Sequence, residues 1–356
     1  MPDRPLQPSP PDQRPVWHPD SLAARLPALR RRTQLMAETR AFFAARGYAE
    51  VETPALVPAP GMEVHLAAFR SEFRPILGEG SFPLWLRTSP ELAIKRLLVA
   101  GCGPVFELAR VWRNGEVSPR HSPEFTMLEW YRPGAGLDGL MDETEAYLRA
   151  VLPGSVSHGG ITTDLAAPFE RLTMAEAFRR HAGGLDILAT EGDGARLRAA
   201  ARAVGIAPRG EEGWEDLFFR ILLERIEPEL GRDRATFLTH WPAPQAALAR
   251  RDPADPRAAL RFELFVAGIE LANAFDELTD APEQAARFAH DVAERHRLYG
   301  EGWPVDQDFL DALAHGMPPT AGIALGFDRL AMLAAGAATV AETLWLGGWP
   351  YGDATG

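Results

Sequence analysis

The sequence carries a single cysteine in 356 residues, Cys102, so no disulfide can form within the chain and a reducing compartment, the cytoplasm, is expected. It also carries a single lysine, Lys95. Every other basic side chain is arginine, so anion binding must fall mostly to guanidinium groups, which hold phosphates through paired hydrogen bonds. Positive charge is scarce: 37 Lys and Arg against 49 Asp and Glu leave a net charge of −12. That balance argues against a protein that coats nucleic acid through a basic surface. No apolar run reaches the length of a membrane span; the best candidate, 330–341, ends at Glu342. The N-terminus has no apolar signal core.

Several catalytic signatures are missing as well. There is no G-x-x-x-x-G-K-[ST] phosphate loop and no H-E-x-x-H zinc pair. There is no G-x-S-x-G nucleophile elbow. Gly101-Cys102-Gly103 lacks the third glycine of a dinucleotide fingerprint and reads as a turn. Residues 1–20 are rich in proline, poor in apolar periodicity, and read as a disordered tail.

The remainder alternates helix and strand patterns. Leu22, Leu26, Leu29, Met36 and Phe43 recur at helical spacing, predicting a helix from Leu22 to Arg46, with Pro27 in its first turn and Gly47 closing it. A strand near Leu84–Arg87 leads through Thr88-Ser89-Pro90-Glu91 into a helix that reaches Leu98. Val105–Arg113 and Phe125–Tyr131 read as strands joined by a polar loop. The stretch 152–235 reads as a helical insertion, with Thr173 and Glu176 forming a capping box. Phe262–Ala272 and Ala321–Gly326 return to strand pattern, and a helix follows from Asp328. This order predicts an α+β domain over residues 21–350, built on an antiparallel sheet flanked by helices.

Three separated segments carry chemistry together. They are Arg46 to Pro54; Trp112 to Glu116 with Arg120 to Glu129; and Gly322 to Arg329. In this order they resemble motifs 1, 2 and 3 of the class II aminoacyl-tRNA synthetases. Amino-acid activation gathers negative charge on phosphate oxygens, so a fixed guanidinium and a divalent metal are wanted. Arg113 ends a strand within reach of an α-phosphate. Phe125 lies beyond the loop where it would stack on adenine, and Arg329 opens a helix where it would cover the other face of adenine or hold the terminal phosphate. A fourth segment, 262–278, spaces Glu263, Glu270 and Glu277 seven residues apart. Seven is odd, so an unbroken strand would put Glu263 and Glu270 on opposite faces. Gly268 predicts a turn or bulge that resets the register, after which both carboxylates would meet one Mg²⁺ held by ATP phosphates.

Together with Thr88 to Glu91 and Pro123 to Tyr131, this segment resembles the lysyl branch of the family. More narrowly it is similar to truncated paralogues of that branch that join (R)-β-lysine to elongation factor P. The likeness covers residues 21–345, and the run Lys95 to Phe106 is specific to it. Only about 20 residues precede the motif 1 helix, so an N-terminal OB-fold that reads an anticodon is not expected. The resemblance implies an amino-acid pocket of Ser89, Pro90, Glu91, Glu129, Tyr131, Asn273, Glu277 and Ala324, with Glu91 and Glu277 facing two ammonium groups. It implies catalytic roles for Arg113 and Arg329, and an ATP site of Arg113, Asn114, Glu116, His121, Ser122, Phe125, Glu270, Leu271, Gly326 and Arg329. It implies Mg²⁺ on Glu263 and Glu270, and a homodimer through motif 1 residues that include Pro54. The chain departs from the family pattern at Gly115, where glutamate is usual, at Ser122 and at Ala274. Ser89 and Ala324 replace alanine and glycine beside the substrate and would favour a β-amino acid. Two other readings stay open: a truncated ligase that uses α-lysine with a tRNA or another carrier, and a regulatory paralogue without activity.

Overall fold

Residues 15–78 and 80–346 are described by the structure, a computed structural model. Helix α1 (Pro19–Ala44) forms because Leu29, Leu35, Phe42 and Phe43 return to one side every three or four residues and bury there. It begins three residues before the expected start, so Pro27 lies inside the helix and not in its first turn. Proline has no N–H, so the carbonyl of Ala23 loses its helical donor there. The expected disordered tail falls, up to residue 14, outside the described residues; Pro19 and Asp20 already belong to α1. Gly47 takes a left-handed φ of 78° just past the helix end.

Strands β1 (Ala49–Glu50), β2 (Leu56–Val57), β3 (Arg70–Phe73) and β4 (Phe82–Leu86) precede helix α2 (Glu91–Val99). Then come β5 (Val105–Trp112), β6 (Glu124–Pro133) and α3 (Leu137–Val151). The next segment is not purely helical. It holds the hairpin β7 (Ser155–His158) and β8 (Ile161–Asp164), and then β9 (Glu170–Thr173). Helices α4 (Met174–His181), α5 (Gly194–Ala203) and α6 (Trp214–Ile221) follow, and the expected capping box at Thr173 and Glu176 opens α4. The chain closes with β10 (Thr236–Pro242), β11 (Ala258–Val266), β12 (Ile269–Asp276), α7 (Ala281–Tyr299), α8 (Gln307–Gly316), β13 (Thr320–Gly326) and α9 (Phe327–Ala335). The strand pattern expected over 262–272 is two strands joined by a turn at Gly268, one of the two features expected there, because Ala267 and Gly268 both take positive φ and turn the chain back. No helix among the described residues is long and apolar enough to cross a membrane.

Eight strands form one sheet in the order β1-β5-β6-β13-β12-β11-β10-β9. All neighbours are antiparallel except β1 with β5 and β10 with β9. Alternation along the central strands makes the two faces unlike. One face presents Phe106, Leu128, Trp130, Ile323, Leu325, Ala272, Phe262 and Leu264, and packs on apolar residues of α1, α3 and α9. Phe43 sits at the centre, its ring stacked on Phe106 at 4.8 Å and tilted against Trp130 at 5.1 Å. The other face carries the polar residues of the site. Replacing Phe43 by alanine should cost about 3–5 kcal/mol of stability through lost burial and an unfilled cavity; urea unfolding of the two proteins measures it.

Candidate active site

The register of the sheet lines up side chains on its polar face. Glu107, Glu129, Ala324, Asn273 and Glu263 sit opposite one another across five strands, and Val105, Tyr131, Gly322, Phe275 and Arg261 form the next row. A cavity of about 500 Å³ lies over this face. Ser89, Pro90, Glu91, Asn273 and Ala324 line one region of it, and Arg113, Glu116, His121, Ser122, Phe125, Glu270, Leu271, Gly326 and Arg329 another.

The remaining amino-acid residues lie beneath the wall. Glu129, Tyr131 and Glu277 are fully buried, and the reason is their partners. The Ser89 hydroxyl donates to Glu129 Oε1 at 2.6 Å and the Tyr131 hydroxyl to Oε2 at 2.8 Å. Burial raises the Glu129 carboxyl to about 8, with the charge of Glu91 adding to it. Lys95, 1% exposed, sets its ammonium 2.6 Å from Glu91 Oε1 and 2.6 Å from Glu277 Oε2. Burial alone would push the Lys95 pKa down, but Glu277 and Glu91 outweigh it and hold it above its ordinary value. Glu91 and Glu277, expected to face two substrate ammonium groups, thus already share one internal cation. Gly322 makes room for the cluster: a Cβ there would overlap the Tyr131 ring and Glu277 Oε1.

At the other end, Arg329 Nη1 donates to the Glu270 carbonyl at 2.7 Å and Nη2 to His121 Nε2 at 2.5 Å. His121 accepts because it is neutral; burial and then Arg329, Arg120 and Arg113 lower its pKa to about 4. Its Nδ1 lies 2.6 Å from the Ser118 hydroxyl. The Arg113 guanidinium lies 5.3 Å from the centre of the Phe125 ring, and its buried Nε has no hydrogen-bond partner among the described residues. Gly115 has φ 88°, so the loop turns where the family carries glutamate and brings Glu116 to the cavity instead, 4.0 Å from Arg113. Asn114 is not brought to the wall; its backbone N–H is tied to the Ala67 carbonyl.

Gly268 makes the hairpin turn, and the register is reset further along. Phe265 pairs with Glu270 and Leu264 with Ala272, which leaves Leu271 as a bulge. Glu270 therefore shares the face of Glu263. Burial and then the charge of Glu270 push the Glu263 carboxyl up to about 8. Two facing carboxylates that repel in this way suit a hard divalent cation with oxygen ligands. One Glu263 oxygen is already held by Arg261 at 2.6 Å.

Sequence reasoning assigned no role to Arg261, Arg87 or Glu63. Arg261 stacks 3.9 Å over Trp241 and donates to Asn273 Oδ1 at 3.1 Å as well as to Glu263, so it positions both. Arg87 bonds Glu107 at 2.8 Å and the Thr53 carbonyl at 2.8 Å, tying the segment after β1 to the sheet. Lys95 was visible as the sole lysine, four residues after Glu91 on one helix.

Comparison with known proteins identifies the family. Residues 24–347 match the family model described as tRNA synthetases class II (D, K and N). Proteins named elongation factor P–(R)-β-lysine ligase from Salmonella dublin, Salmonella heidelberg and Salmonella agona are each 43% identical over 334 residues, covering 92% of this chain and 96% of theirs.

Lys95→Met would leave two carboxylates without their cation, a loss of about 3–5 kcal/mol. The loss should shrink toward acidic pH as the Glu277 carboxyl, which burial pushes up, takes up its proton, and chemical denaturation at several pH values reads this. Glu129 has a folded pKa raised above the usual carboxylate value, so its contribution to stability is full at low pH and is lost as pH rises through about 8. Glu129→Gln should therefore be more stable than the native chain near pH 8, the gap widening from pH 5 by up to about 1.4 kcal/mol per unit; melting curves across that range test it.

Proposed function

Because the chain belongs to the class II tRNA synthetases (D, K and N), we propose that it is an adenylate-forming ligase that activates (R)-β-lysine with ATP and transfers it to a lysine side chain of elongation factor P. One observation carries the reading: a single cavity joins a two-arginine end, Arg113 and Arg329, to an end built on carboxylates, and does so in a chain 43% identical to ligases of that name. In the first step an oxygen of the substrate carboxylate bonds to the α-phosphorus of ATP, and the bond to the bridging oxygen of the β-phosphate breaks, releasing pyrophosphate. In the second step the free-base ε-amine of the acceptor lysine attacks the acyl carbon. The amide forms, AMP leaves and the amine's proton passes to solvent.

The residues contribute position and charge. Arg113 holds the α-phosphate and the incoming carboxylate. Phe125 stacks on adenine, Arg329 covers its other face or grips the terminal phosphate, and Glu116 reaches the base that the displaced family glutamate would contact. Neutral His121 keeps Arg329 aimed without competing for phosphate. Glu263 and Glu270 would hold Mg²⁺, which neutralises charge on the phosphate oxygens. Ser89 and Ala324 shape the space for a β-amino acid. No side chain here is needed as a covalent nucleophile. Motif 1, with Pro54, would join two copies into a homodimer, and the reaction belongs in the cytoplasm, where elongation factors act.

ATP–pyrophosphate exchange with Mg²⁺ tests the reading. Exchange should be strongest with (R)-β-lysine, weaker with α-lysine and absent without an amino acid. A preference for α-lysine would point to a truncated synthetase that serves a tRNA or another carrier, and no exchange with any of them to a regulatory paralogue.

A further inference from the structure

We propose that Glu63 is a specificity-determining carboxylate of the amino-acid site, taking the substrate amine that lies nearer the reacting carboxylate. The inference rests on the reading that the cavity binds a diammonium amino acid. Glu63 lies in the loop between β2 and β3 and lines the cavity together with Gly61 and Met62. Its carboxylate folds back over Gly61, where a Cβ would overlap Glu63 Oε2. The same point is 2.8 Å from Thr88 Oγ1, a hydroxyl that is 2% exposed and has no hydrogen-bond partner among the described residues. The Glu63 carboxylate and the oxygen of the unsatisfied Thr88 hydroxyl thus lie close together beside Ser89, two acceptors for the N–H groups of an ammonium.

The charges around the gap point the same way. Among the described residues no cation pairs with Glu63, whereas Glu91 and Glu277 both hold Lys95. The loop that carries Glu63 is tied to the chain on either side of Arg113: the Asn114 N–H donates to the Ala67 carbonyl at 2.8 Å, and the Trp112 N–H donates to the Arg87 carbonyl at 3.0 Å, next to Thr88. Glu63 is therefore on the Arg113 side of the pocket, where the substrate carboxylate must sit to reach the α-phosphate. The amine next to that carboxylate falls to Glu63, and the distal amine to the Glu91–Glu277 end.

The test compares KM in ATP–pyrophosphate exchange for (R)-β-lysine and for 6-aminohexanoic acid, which keeps the distal amine and lacks the proximal one. Glu63→Gln should raise KM for (R)-β-lysine about tenfold relative to KM for 6-aminohexanoic acid, about 1.4 kcal/mol of discrimination. Glu63→Asp should restore part of the ratio. A residue that only supports the loop would shift both KM values together, so an unchanged ratio overturns the inference while leaving the ligase reading intact. Absence of exchange by the native chain with either compound overturns both.

Discussion

The ammonium of Lys95 is the constraint on which the carboxylate end of the cavity rests. A sheet face that buries Glu107, Glu129, Glu263 and Glu277 is expensive unless each carboxylate is paired, hydrogen-bonded or protonated. The chain answers each in turn. Lys95 spans Glu91 and Glu277, Arg87 holds Glu107, Arg261 holds Glu263, and two hydroxyls take the oxygens of Glu129. Below the apolar face, Arg32 does the same for Asp328 at 2.6 Å, so α9, the helix that carries Arg329, is pinned to α1. The acidic surplus needed to attract a cationic amino acid is thereby held in place without a substrate.

The two sheet faces divide the work. The apolar face and its three helices supply rigidity, with aromatic rings in edge and stacked contact around Phe43. The polar face then needs little else to fix the geometry, since register alone sets Glu129, Ala324 and Asn273 side by side. The arginine end of the cavity differs, because it draws on the loop between β5 and β6. There the guanidinium of Arg329 is steered by His121 and by the carbonyls of Glu270 and Arg120, with Glu270 Oε2 3.8 Å away.

The sequence disclosed those parts of the fold where burial is periodic. Strands β5, β6 and β13 and helices α1 and α9 carry enough apolar repetition to be read directly. The short strands β7, β8 and β9 do not: each has four residues, and polar side chains such as Ser157 and Thr162 on them give no alternation to detect. The Leu271 bulge is equally silent, because nothing in Glu270-Leu271-Ala272 marks which residue will lose its partner. The odd spacing of Glu263 and Glu270 showed only that some reset was required. Arg261 and Glu63 escaped notice for a different reason. Their roles come from residues distant in the chain, Trp241 and Asn273 for one and Gly61 with Thr88 for the other.

The scarcity of lysine has a consequence for a chain that makes activated acyl groups. An acyl-adenylate that escapes its pocket attacks whatever ε-amine it meets first, and the closest protein surface is that of the enzyme which made it. Here that surface offers arginines, whose guanidinium groups stay protonated and unreactive. The one ε-amine in the side chains is sealed under the cavity wall as an ammonium between two carboxylates, and a protonated amine is no nucleophile. The molecule is thus immune, by composition, to labelling its own side-chain amines with its own product.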